Sequence, residues 1–561
     1  MITNFFRIIF FCLIIICQNN AYSQNSPKSF DKKNVANYFS ALISYDNNQN
    51  RKYLNFFEPS RLLKESNKDY VRKYLISLVL EGKIKKAINE SKIIEDNKIN
   101  ESYEMNLLLA ISNLHKKNYK KNFFYVNKIK NYKQENKIQH VILSTLEEYA
   151  YLFYHNKINI KSDNNFGHLT VINNAFQSCY LDSTNTEAIF DNVTNPNKGD
   201  YSRYLFFHIN FLISQGKVEE AKNLSKKIDI LNSSLLAAQT KDWIDKKKFN
   251  NFQEIFSCKN PKDVISEFFY LIANLYSTEG DLKKSNFYLK ISNYLNPKFI
   301  FNSSLFAENY FTIKNFKLSE FFLDTFDNNT PIYNWYKFKK KAEIIKNKNN
   351  LKDSFNFINS KFNKIKSPSL RTVFDMANTA KNFEKYEMSI KYYSEILLNI
   401  EQNSLLYADI LYRRGGSYER LGKNQKADQD FLKSLEINDD PYTLNYLAYS
   451  WLERDYKINV AIQMLEKANK ENGNDPYIID SVGWAYYLTK DYINAEIFLK
   501  RAVKLMPNDP IVNDHYGDVL WKLGRKIQAN YFWENVLTFE NTKDEMKKNI
   551  YLKLLKGPNK V

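Results

Sequence analysis

Apolar residues in the C-terminal half of the chain follow a helical spacing. The clearest segment reads IIDSVGWAYYLTKDYINAEIFLKRAVKLMP. Positions three, four and seven apart form one apolar stripe on each of two predicted helices. These stripes consist of Ile479, Val482, Gly483, Tyr486, Ala495, Leu499 and Ala502. Pro507 cannot continue a helix and is predicted to end the second one.

A small residue recurs in this pattern about every 34 residues. It is found at Ala273, Ala307, Ala342, Ala377, Gly415, Ala448, Gly483 and Gly517. A period of this length is typical of solenoids in which each unit is a pair of helices. One pair cannot bury its own apolar face, so successive pairs stack into an extended surface. The sequence therefore predicts an all-α fold built by stacking helix pairs.

The motif resembles the tetratricopeptide repeat (TPR), with W/L, L, G/A and Y on the first helix, A, F/L and A on the second, and a closing P. Neighbouring units match it at Leu444, Leu447, Ala448, Trp451, Ala461, Leu465 and Ala468, at Gly415, Tyr418, Ala427 and Phe431, and at Gly517, Leu520, Ala529 and Trp533. The resemblance implies a TPR-type helix-pair solenoid, wound as a right-handed superhelix. It also implies that the first helices line a concave groove that binds a protein or peptide.

The periodicity divides the chain into segments. Residues 24–158 are predicted to form divergent helical repeats, 201–264 further helical repeats, and 265–542 the TPR array. Residues 159–200 are rich in Asn, Asp, Ser and Thr, which predicts an irregular polar insertion, a loop with at most one short helix. Residues 543–561 are predicted to form a C-terminal capping helix, with Met546, Ile550, Leu552 and Leu555 on one face.

Residues 1–23 have the pattern of a secretory signal peptide. Arg7 lies in a short n-region, IIFFCLIIIC is an apolar run, and Ala21 and Ser23 are small residues at a cleavage site. Because a spanning helix needs about 20 apolar residues, the chain is predicted to be secreted across the inner membrane into the periplasm. The alternative is an uncleaved N-terminal anchor, the only route to membrane association that the sequence offers. Cys17 follows three isoleucines and does not fit a lipoprotein signal.

The chain carries a formal charge of +19, which becomes +18 when residues 1–23 are removed with Arg7. Such a charge is compatible with nucleic acid, anionic membranes or acidic partners. Lys is interleaved with Glu, Asp and Asn, however, so a basic solvated surface is favoured and no nucleic-acid partner is expected. Cys179 and Cys258 remain after signal cleavage. A disulfide between them is open, but two free thiols are at least as well supported, since distant repeats of a solenoid do not touch.

No catalytic or metal-binding motif stands out. The six histidines form no cluster with metal-ligand spacing, and HExxH, GxSxG, GxxxxGK[ST] and GxGxxG are absent. Asp514 and His515 are adjacent but lack a nucleophile. We therefore expect no enzyme, no cofactor and no metal site.

The resemblance places nine residues in the groove. They are Asn445, Tyr449 and Leu452 of one unit, Asp480, Trp484 and Tyr487 of the next, and Asp514, Asp518 and Trp521 of the last. Aromatic residues flanked by polar groups are typical of interface hot spots. The alternative is that Trp484 and Tyr487 pack against the neighbouring helix.

Two functions follow from these observations. The first is a non-enzymatic periplasmic scaffold or adaptor that binds a partner or client in the groove, linked to envelope proteolysis or assembly. The motifs YLAYSWLERD, DSVGWAYY and NDHYGDVLWKLGR resemble those of exported TPR proteins of Gram-negative bacteria. The second is a structural envelope protein that binds peptidoglycan or another glycan by stacking Tyr and Trp on sugars. The oligomeric state stays open.

Overall fold

The computed structural model describes residues 32–46, 50–60, 67–97, 101–132, 136–159, 165–195, 201–348 and 350–558. These residues form α-helices and one short 3-10 helix, without a strand in the described ranges. The chain divides into unit 1, residues 1–361, and unit 2, residues 362–561. The predicted all-α, helix-pair fold is confirmed. The segment predicted as a signal peptide, 1–23, lies outside the described residues.

The helices of unit 1 are connected by short turns. They are α1 (Lys32–Asp46), α2 (Asn50–Phe57), α3 (Lys68–Leu80), α4 (Ile84–Asp96), α5 (Tyr103–His115), α6 (Tyr119–Ile129), α7 (Lys137–His155), α8 (His168–Tyr180), α9 (Thr186–Val193), α10 (Arg203–Ser214), α11 (Val218–Lys226), α12 (Leu235–Asp245), α13 (Asn250–Ile255), α14 (Pro261–Thr278), α15 (Leu282–Leu295), α16 (Ser303–Thr312), α17 (Phe316–Leu323) and α18 (Pro331–Asn347), and the 3-10 helix Ile300–Asn302 precedes α16.

The helices of unit 2 alternate between the first and second members of each pair. After α19 (Leu351–Phe362), which ends at the unit boundary, they are α20 (Leu370–Asn382), α21 (Tyr386–Leu397), α22 (Leu405–Arg420), α23 (Asn424–Ile437), α24 (Pro441–Glu453), α25 (Ile458–Glu471), α26 (Pro476–Leu488), α27 (Tyr492–Leu505), α28 (Pro510–Lys522), α29 (Lys526–Thr538) and α30 (Asp544–Lys556).

Local sequence sets the start of each first helix in the last three repeats. Asp440, Asp475 and Asp509 are the N-cap residues of α24, α26 and α28, and each side chain accepts hydrogen bonds from backbone N–H groups of the first turn. A proline follows each of them at the first helical position, where its missing N–H costs nothing. This Asp-Pro pair recurs with the repeat period.

Close contacts in the pairs of unit 2 occur at the predicted small residues. A Cβ atom on Gly483 would lie 2.6 Å from Leu499 Cγ, and one on Gly517 would lie 2.5 Å from the indole nitrogen of Trp533. Ala495 and Ala529 are fully buried on the opposing helices. The stripes of each pair therefore interlock as the periodicity predicts.

Unit 1 departs from an open array because its N-terminal helices pack against helices far along the chain. α3 contacts α15, and α5 and α7 contact α14. The hydroxyls of Tyr103 and Tyr288 lie 3.4 Å apart, and Lys283 donates a 2.5 Å hydrogen bond to the carbonyl of Tyr45. Repeats well separated in sequence do touch here, contrary to the expectation for an open solenoid.

The segment 159–200 is more regular than predicted. It contains two helices, α8 and α9, that pack against each other. Phe176 and Phe190 are buried, and their rings meet edge to face with centroids 6.2 Å apart. The expectation of a loop with at most one short helix was wrong, because a few aromatic residues anchor an otherwise polar sequence in the core.

Cys179 and Cys258 form a disulfide, with Cα atoms 6.0 Å apart. The bond joins the end of α8 to the segment just before α14. Lys259 reinforces this junction by donating to the carbonyl of Tyr180 and by an ion pair with Asp182. The structure thus forms the disulfide that the sequence left open, and the premise that distant repeats do not touch fails because unit 1 folds back on itself.

The predicted C-terminal helix is α30. Ile550 is fully buried, and Met546 and Leu554 pack beside it against the last repeat. Leu552 and Leu555, expected on the same face, are exposed. None of the described helices is both long and apolar enough to cross a membrane.

Candidate partner-binding face

The first helices of unit 2 lie side by side in chain order. α24 contacts α26, and α26 contacts α28. Tyr446 of α24 also reaches back to α22, where its hydroxyl donates to Glu419 Oε2 over 3.1 Å. We call the surface formed by α20, α22, α24, α26 and α28 the inner face. All nine groove residues predicted from the sequence lie on α24, α26 and α28.

Trp484 forms the centre of a stack of three rings. Its centroid lies 4.6 Å from that of Tyr487 and 4.0 Å from that of His515, and all three planes are nearly parallel. Two parallel rings this close would overlap on a single face, so they cover opposite faces of the indole. Its Nε1 donates a 3.1 Å hydrogen bond to Glu453. Only the edge of Trp484 is left for a partner, and Tyr487 is 1% exposed.

Asp480 and His515 form a buried pair between α26 and α28. Nδ1 of His515 lies 2.9 Å from Asp480 Oδ2. Burial opposes protonation of the imidazole, but the carboxylates of Asp480, Asp514 and Asp518 together outweigh it and raise the pKa of His515. The other oxygen, Asp480 Oδ1, is buried without a hydrogen-bond partner among the described residues. His515 therefore pairs with Asp480 of the neighbouring repeat rather than with the adjacent Asp514.

Asp514 and Asp518 are bound by the chain's own C-terminal helix. Lys553 of α30 donates to Asp514 Oδ1 over 2.6 Å and to Asp518 Oδ2 over 2.9 Å. Burial raises the pKa of Asp518 to about 6, with Lys553 opposing the shift. Asp518 also accepts a 3.2 Å hydrogen bond from the indole N–H of Trp533. Lys553 thus neutralises part of the acidic end of the inner face.

Asn445 and Tyr449 of α24 are half-buried. Asn445 Oδ1 is a buried acceptor without a hydrogen-bond partner among the described residues. Burial raises the pKa of Tyr449, and the nearby carboxylates of Glu453, Asp480 and Asp514 add to the shift. These carboxylates therefore converge on one stretch of the face.

The two remaining predicted residues, Leu452 and Trp521, differ in exposure. Leu452 is buried in the core between α24 and α26. Trp521 is half-buried, its ring lies 5.4 Å from that of Trp533, and the backbone of Gly557 covers it so closely that a Cβ there would lie 2.5 Å from the indole. Leu452, Asp480, Tyr487 and Asp518 are thus largely shielded, whereas Asn445, Tyr449, Trp484, Asp514 and Trp521 keep partial access.

A cavity of about 420 Å³ lies where α30 meets the inner face. Tyr487, Asp514, Asp518 and Lys553 line it. The hydroxyl of Tyr487 is buried there without a hydrogen-bond partner among the described residues. Among those residues, no group of three or more His, Cys, Asp or Glu side chains is arranged to hold a metal ion.

A cationic cluster on α20 and α22 escaped the sequence analysis. The ammonium of Lys381 would lie 3.1 Å from a Cβ on Gly416, so the glycine leaves the space that this ammonium occupies. Arg413 pairs with Asp409 over 2.9 Å, and Arg420 contacts Glu419 over 3.5 Å. Lys381 itself has no ion-pair partner in the described part of the chain. Burial lowers the pKa of Lys381, and Arg413 and Arg420 lower it further.

A sequence signal for this cluster exists in retrospect. Gly415 is the small residue of the repeat, and Phe431 packs where its Cβ would lie. Gly416 has no such role in the repeat, and the equivalent positions of the next two units hold Tyr449 and Trp484. A second glycine where large residues are usual indicates that another side chain fills the space.

A family model described as tetratricopeptide repeat matches residues 408–441 of this chain. A TPR repeat-containing protein of Pseudomonas aeruginosa is 31% identical over 112 residues, which cover 20% of this chain and 19% of that protein. The match therefore spans about a fifth of the length of this curated relative.

Solved structures are also similar, two of tetratricopeptide proteins and one of MamA. A TPR protein of Thermus thermophilus is 16% identical, with a TM-score of 0.30, and the match covers 33% of this chain and all of that one. A tetratricopeptide repeat protein from Parabacteroides merdae is 13% identical, with a TM-score of 0.35, covering 52% of this chain and 98% of that one. MamA from Desulfovibrio magneticus is 18% identical, with a TM-score of 0.27, over 32% of this chain and 99% of its own.

Proposed function

We propose that the inner face of unit 2 is the working surface of an interaction scaffold, as in the tetratricopeptide-repeat proteins to which this chain is similar. A protein or peptide partner docks across the inner face, and the chain supplies no chemistry of its own.

The observation that carries this proposal is the unpaired acceptor of Asn445. The equivalent positions of the next two repeats, Asp480 and Asp514, are bound by His515 and Lys553. Asn445 Oδ1 has no such partner among the described residues. A buried unsatisfied acceptor costs about 1–3 kcal/mol. A backbone N–H of an extended partner would satisfy it.

We place this scaffold in the periplasm, secreted with a cleaved signal peptide. The signal pattern of residues 1–23 supports export. The disulfide between Cys179 and Cys258 supports an oxidising compartment, since such bonds persist there and are rare in the cytosol. A link to envelope proteolysis or assembly rests on the resemblance to exported TPR proteins alone.

The glycan-binding alternative has less support on this face. A sugar would need a free aromatic surface on which to stack. Both faces of Trp484 are covered by Tyr487 and His515. We therefore favour a protein or peptide partner.

The proposal is tested by photo-crosslinking in the cell from position 445. A photoreactive residue in place of Asn445 should capture one protein, which mass spectrometry identifies. Lys500, exposed on α27, provides the outward-facing control position. A replacement at 445 disturbs the core less than one at Trp484, which would remove the centre of the ring stack.

The scaffold proposal predicts capture from 445 and none from 500. The same diffuse set of proteins from both positions would contradict it. So would an absence of any captured protein from 445 in cells that contain the folded chain.

A further inference from the structure

The inner face of unit 2 is charged with opposite signs at its two ends. At one end lie Lys381, Arg413 and Arg420, opposed by Asp409 and Glu419. At the other lie Glu453, Asp480, Asp514 and Asp518, opposed by His515 and Lys553. The excess is cationic over α20 and α22, and anionic from the end of α24 to α28.

The cationic end contains an ammonium, that of Lys381, which forms no ion pair within 4 Å among the described residues. Lys381 reaches from α20 to the backbone of α22 at Gly416, but the carboxylates near it, Asp409 and Glu419, bind Arg413 and Arg420 instead. A half-buried ammonium without a counter-charge is costly, since burial removes its hydration. An anionic group from a partner would compensate Lys381, and the nearby guanidinium groups of Arg413 and Arg420 would add to its attraction.

The anionic end already binds one cation of the chain itself, the ammonium of Lys553. The Lys553 ammonium lies between Asp514 and Asp518, at 2.6 and 2.9 Å from their oxygens. Two buried polar atoms of neighbouring residues, Asp480 Oδ1 and the hydroxyl of Tyr487, have no hydrogen-bond partner among the described residues, and Tyr487 also lines the cavity of about 420 Å³. Both oxygens accept hydrogen bonds from an ammonium or guanidinium group. Glu453 adds an exposed carboxylate at the near edge.

The spacing suits an extended peptide. Neighbouring packed helices lie about 8–10 Å apart, so the two ends are separated by roughly 20–30 Å. An extended chain spans about 3.3–3.6 Å per residue, which makes this distance about six to nine residues.

From this arrangement we infer that the inner face recognises an extended partner segment with acidic side chains at one end and basic side chains at the other. The acidic end docks over α20 and α22, and the basic end over α26 and α28. The charges thereby fix the direction in which the segment lies. This inference rests on the proposed function and adds the chemistry of the partner to it.

The test uses synthetic peptides of about twelve residues, long enough to span the face. One peptide has Glu residues in its first half and Lys residues in its second half. A control peptide has the same composition with Glu and Lys alternating. Binding to the full chain is measured by fluorescence anisotropy at low ionic strength, where charge interactions are least screened. The segregated peptide should bind about tenfold more tightly than the alternating one.

Docking direction is read from a photoreactive group at one end of the segregated peptide. From the acidic end, crosslinks should map to residues 370–420. From the basic end, they should map to residues 441–522.

Each variant at one end of the inner face has a control variant on α23 that changes the net charge of the chain by the same amount. The comparison therefore distinguishes an effect of the inner face from an effect of net charge. Lys381→Met should weaken the segregated peptide about tenfold, whereas Lys433→Met, on the exposed side of α23, should leave its affinity unchanged. Glu453→Gln should weaken it as well, and Glu436→Gln should not. Circular dichroism confirms that each variant is folded.

Equal affinity for the two peptides, crosslinks from both ends to the same helices, or no binding of the segregated peptide would each overturn the inference. Capture of a partner from position 445 in cells would still support the scaffold proposal after any of these results. Failure of the inference about charge and failure of the scaffold proposal are therefore distinguishable.

Discussion

Gly483 and Gly517 occupy the same position in consecutive repeats, and the opposing helix fills the space that each leaves. Leu499 lies 2.6 Å from the Cβ site of Gly483. We expect Gly483→Ala to destabilise the protein by about 1–3 kcal/mol, because the added methyl group overpacks a core that cannot give way cheaply. Urea denaturation followed by tryptophan fluorescence measures the loss.

Two other glycines are matched controls for this prediction. Gly524 has open space around its Cβ site but a φ of 80°, so Gly524→Ala should cost about 1 kcal/mol through backbone strain alone. At Gly416 the close atom is the flexible end of Lys381, and Gly416→Ala should change stability little. If all three variants lost the same stability, close packing at Gly483 would not be the cause.

At this scale the sequence predicts packing better than exposure. The period of small residues correctly located the close helix contacts at Gly483, Ala495 and Gly517, because a small residue that recurs at the repeat spacing marks a place where two helices approach closely. The covering of Trp484 was one of two alternatives, and the sequence could not decide between them, since His515 comes from the next repeat and pairs with Asp480. The use of the nine predicted groove residues by a partner remains a prediction.

α30 is attached to the last repeat by a charge as well as by apolar contacts. Lys553 neutralises Asp514 and Asp518, and the side chains of Lys553 and Asp518 are 18% and 5% exposed. Lys553→Met should destabilise the C-terminal repeat by about 2–4 kcal/mol, because it leaves buried carboxylates without a counter-charge. Hydrogen exchange of residues 510–556 measures the effect locally.

A second substitution distinguishes charge from lost packing. Adding Asp518→Asn to Lys553→Met removes one stranded carboxylate and should restore part of the stability. An additive loss in the double variant would show that the ion pair does not hold α30 in place.

The disulfide joins two elements of unit 1 that are 79 residues apart in sequence. Cys258→Ser should reduce stability by about 2–4 kcal/mol, chiefly because the unfolded chain gains freedom. Hydrogen exchange in residues 168–180 and 261–278 should accelerate. Reductant should reproduce this effect in the parent chain and add nothing in the variant. Two titratable thiols in the oxidised, folded protein would contradict the pairing.

Element prediction failed where contacts over long sequence distances decide the structure. Helices α8 and α9 lie in a sequence rich in Asn, Asp and Thr, and their helicity depends on buried Phe176 and Phe190. The packing of α3 against α15 leaves no periodic trace, because it joins helices from distant repeats. The sequence analysis therefore placed the repeats of unit 2 well and missed how unit 1 closes on itself.

At the scale of the whole molecule, the two units treat a buried histidine differently: His515 of unit 2 pairs with Asp480, whereas His208 of unit 1 has no such carboxylate partner among the described residues. His208 is 2% exposed, stacks on Phe190 with centroids 5.4 Å apart, and has no hydrogen-bond partner on either ring nitrogen among the described residues. Burial lowers the pKa of His208, with Asp191 and Glu187 opposing the shift. The imidazole is therefore held neutral in the folded state.

Because His208 is neutral when buried, it makes the stability of unit 1 depend on pH. The unfolded state takes up this proton near a pH of about 6.5, and the folded state only at lower pH. The contribution of His208 to the free energy of unfolding is complete above about pH 6.5. It is lost as the pH falls towards the pKa that His208 has in the folded protein. Hydrogen exchange of α10, compared between about pH 7.5 and about pH 5.5, should show weaker protection at the lower pH. In His208→Leu this difference should shrink, and an unchanged difference would assign it to other groups.

The central claim is that one face of unit 2, rather than its repeats in general, binds the partner. It is tested most directly by crosslinking in the cell from two inner positions, Tyr412 and Asn445, and from two exposed outer positions, Gln429 and Lys500. The account predicts that both inner positions capture the same protein and that neither outer position captures it. Capture of that protein from the outer positions alone, or equally from all four, would contradict it.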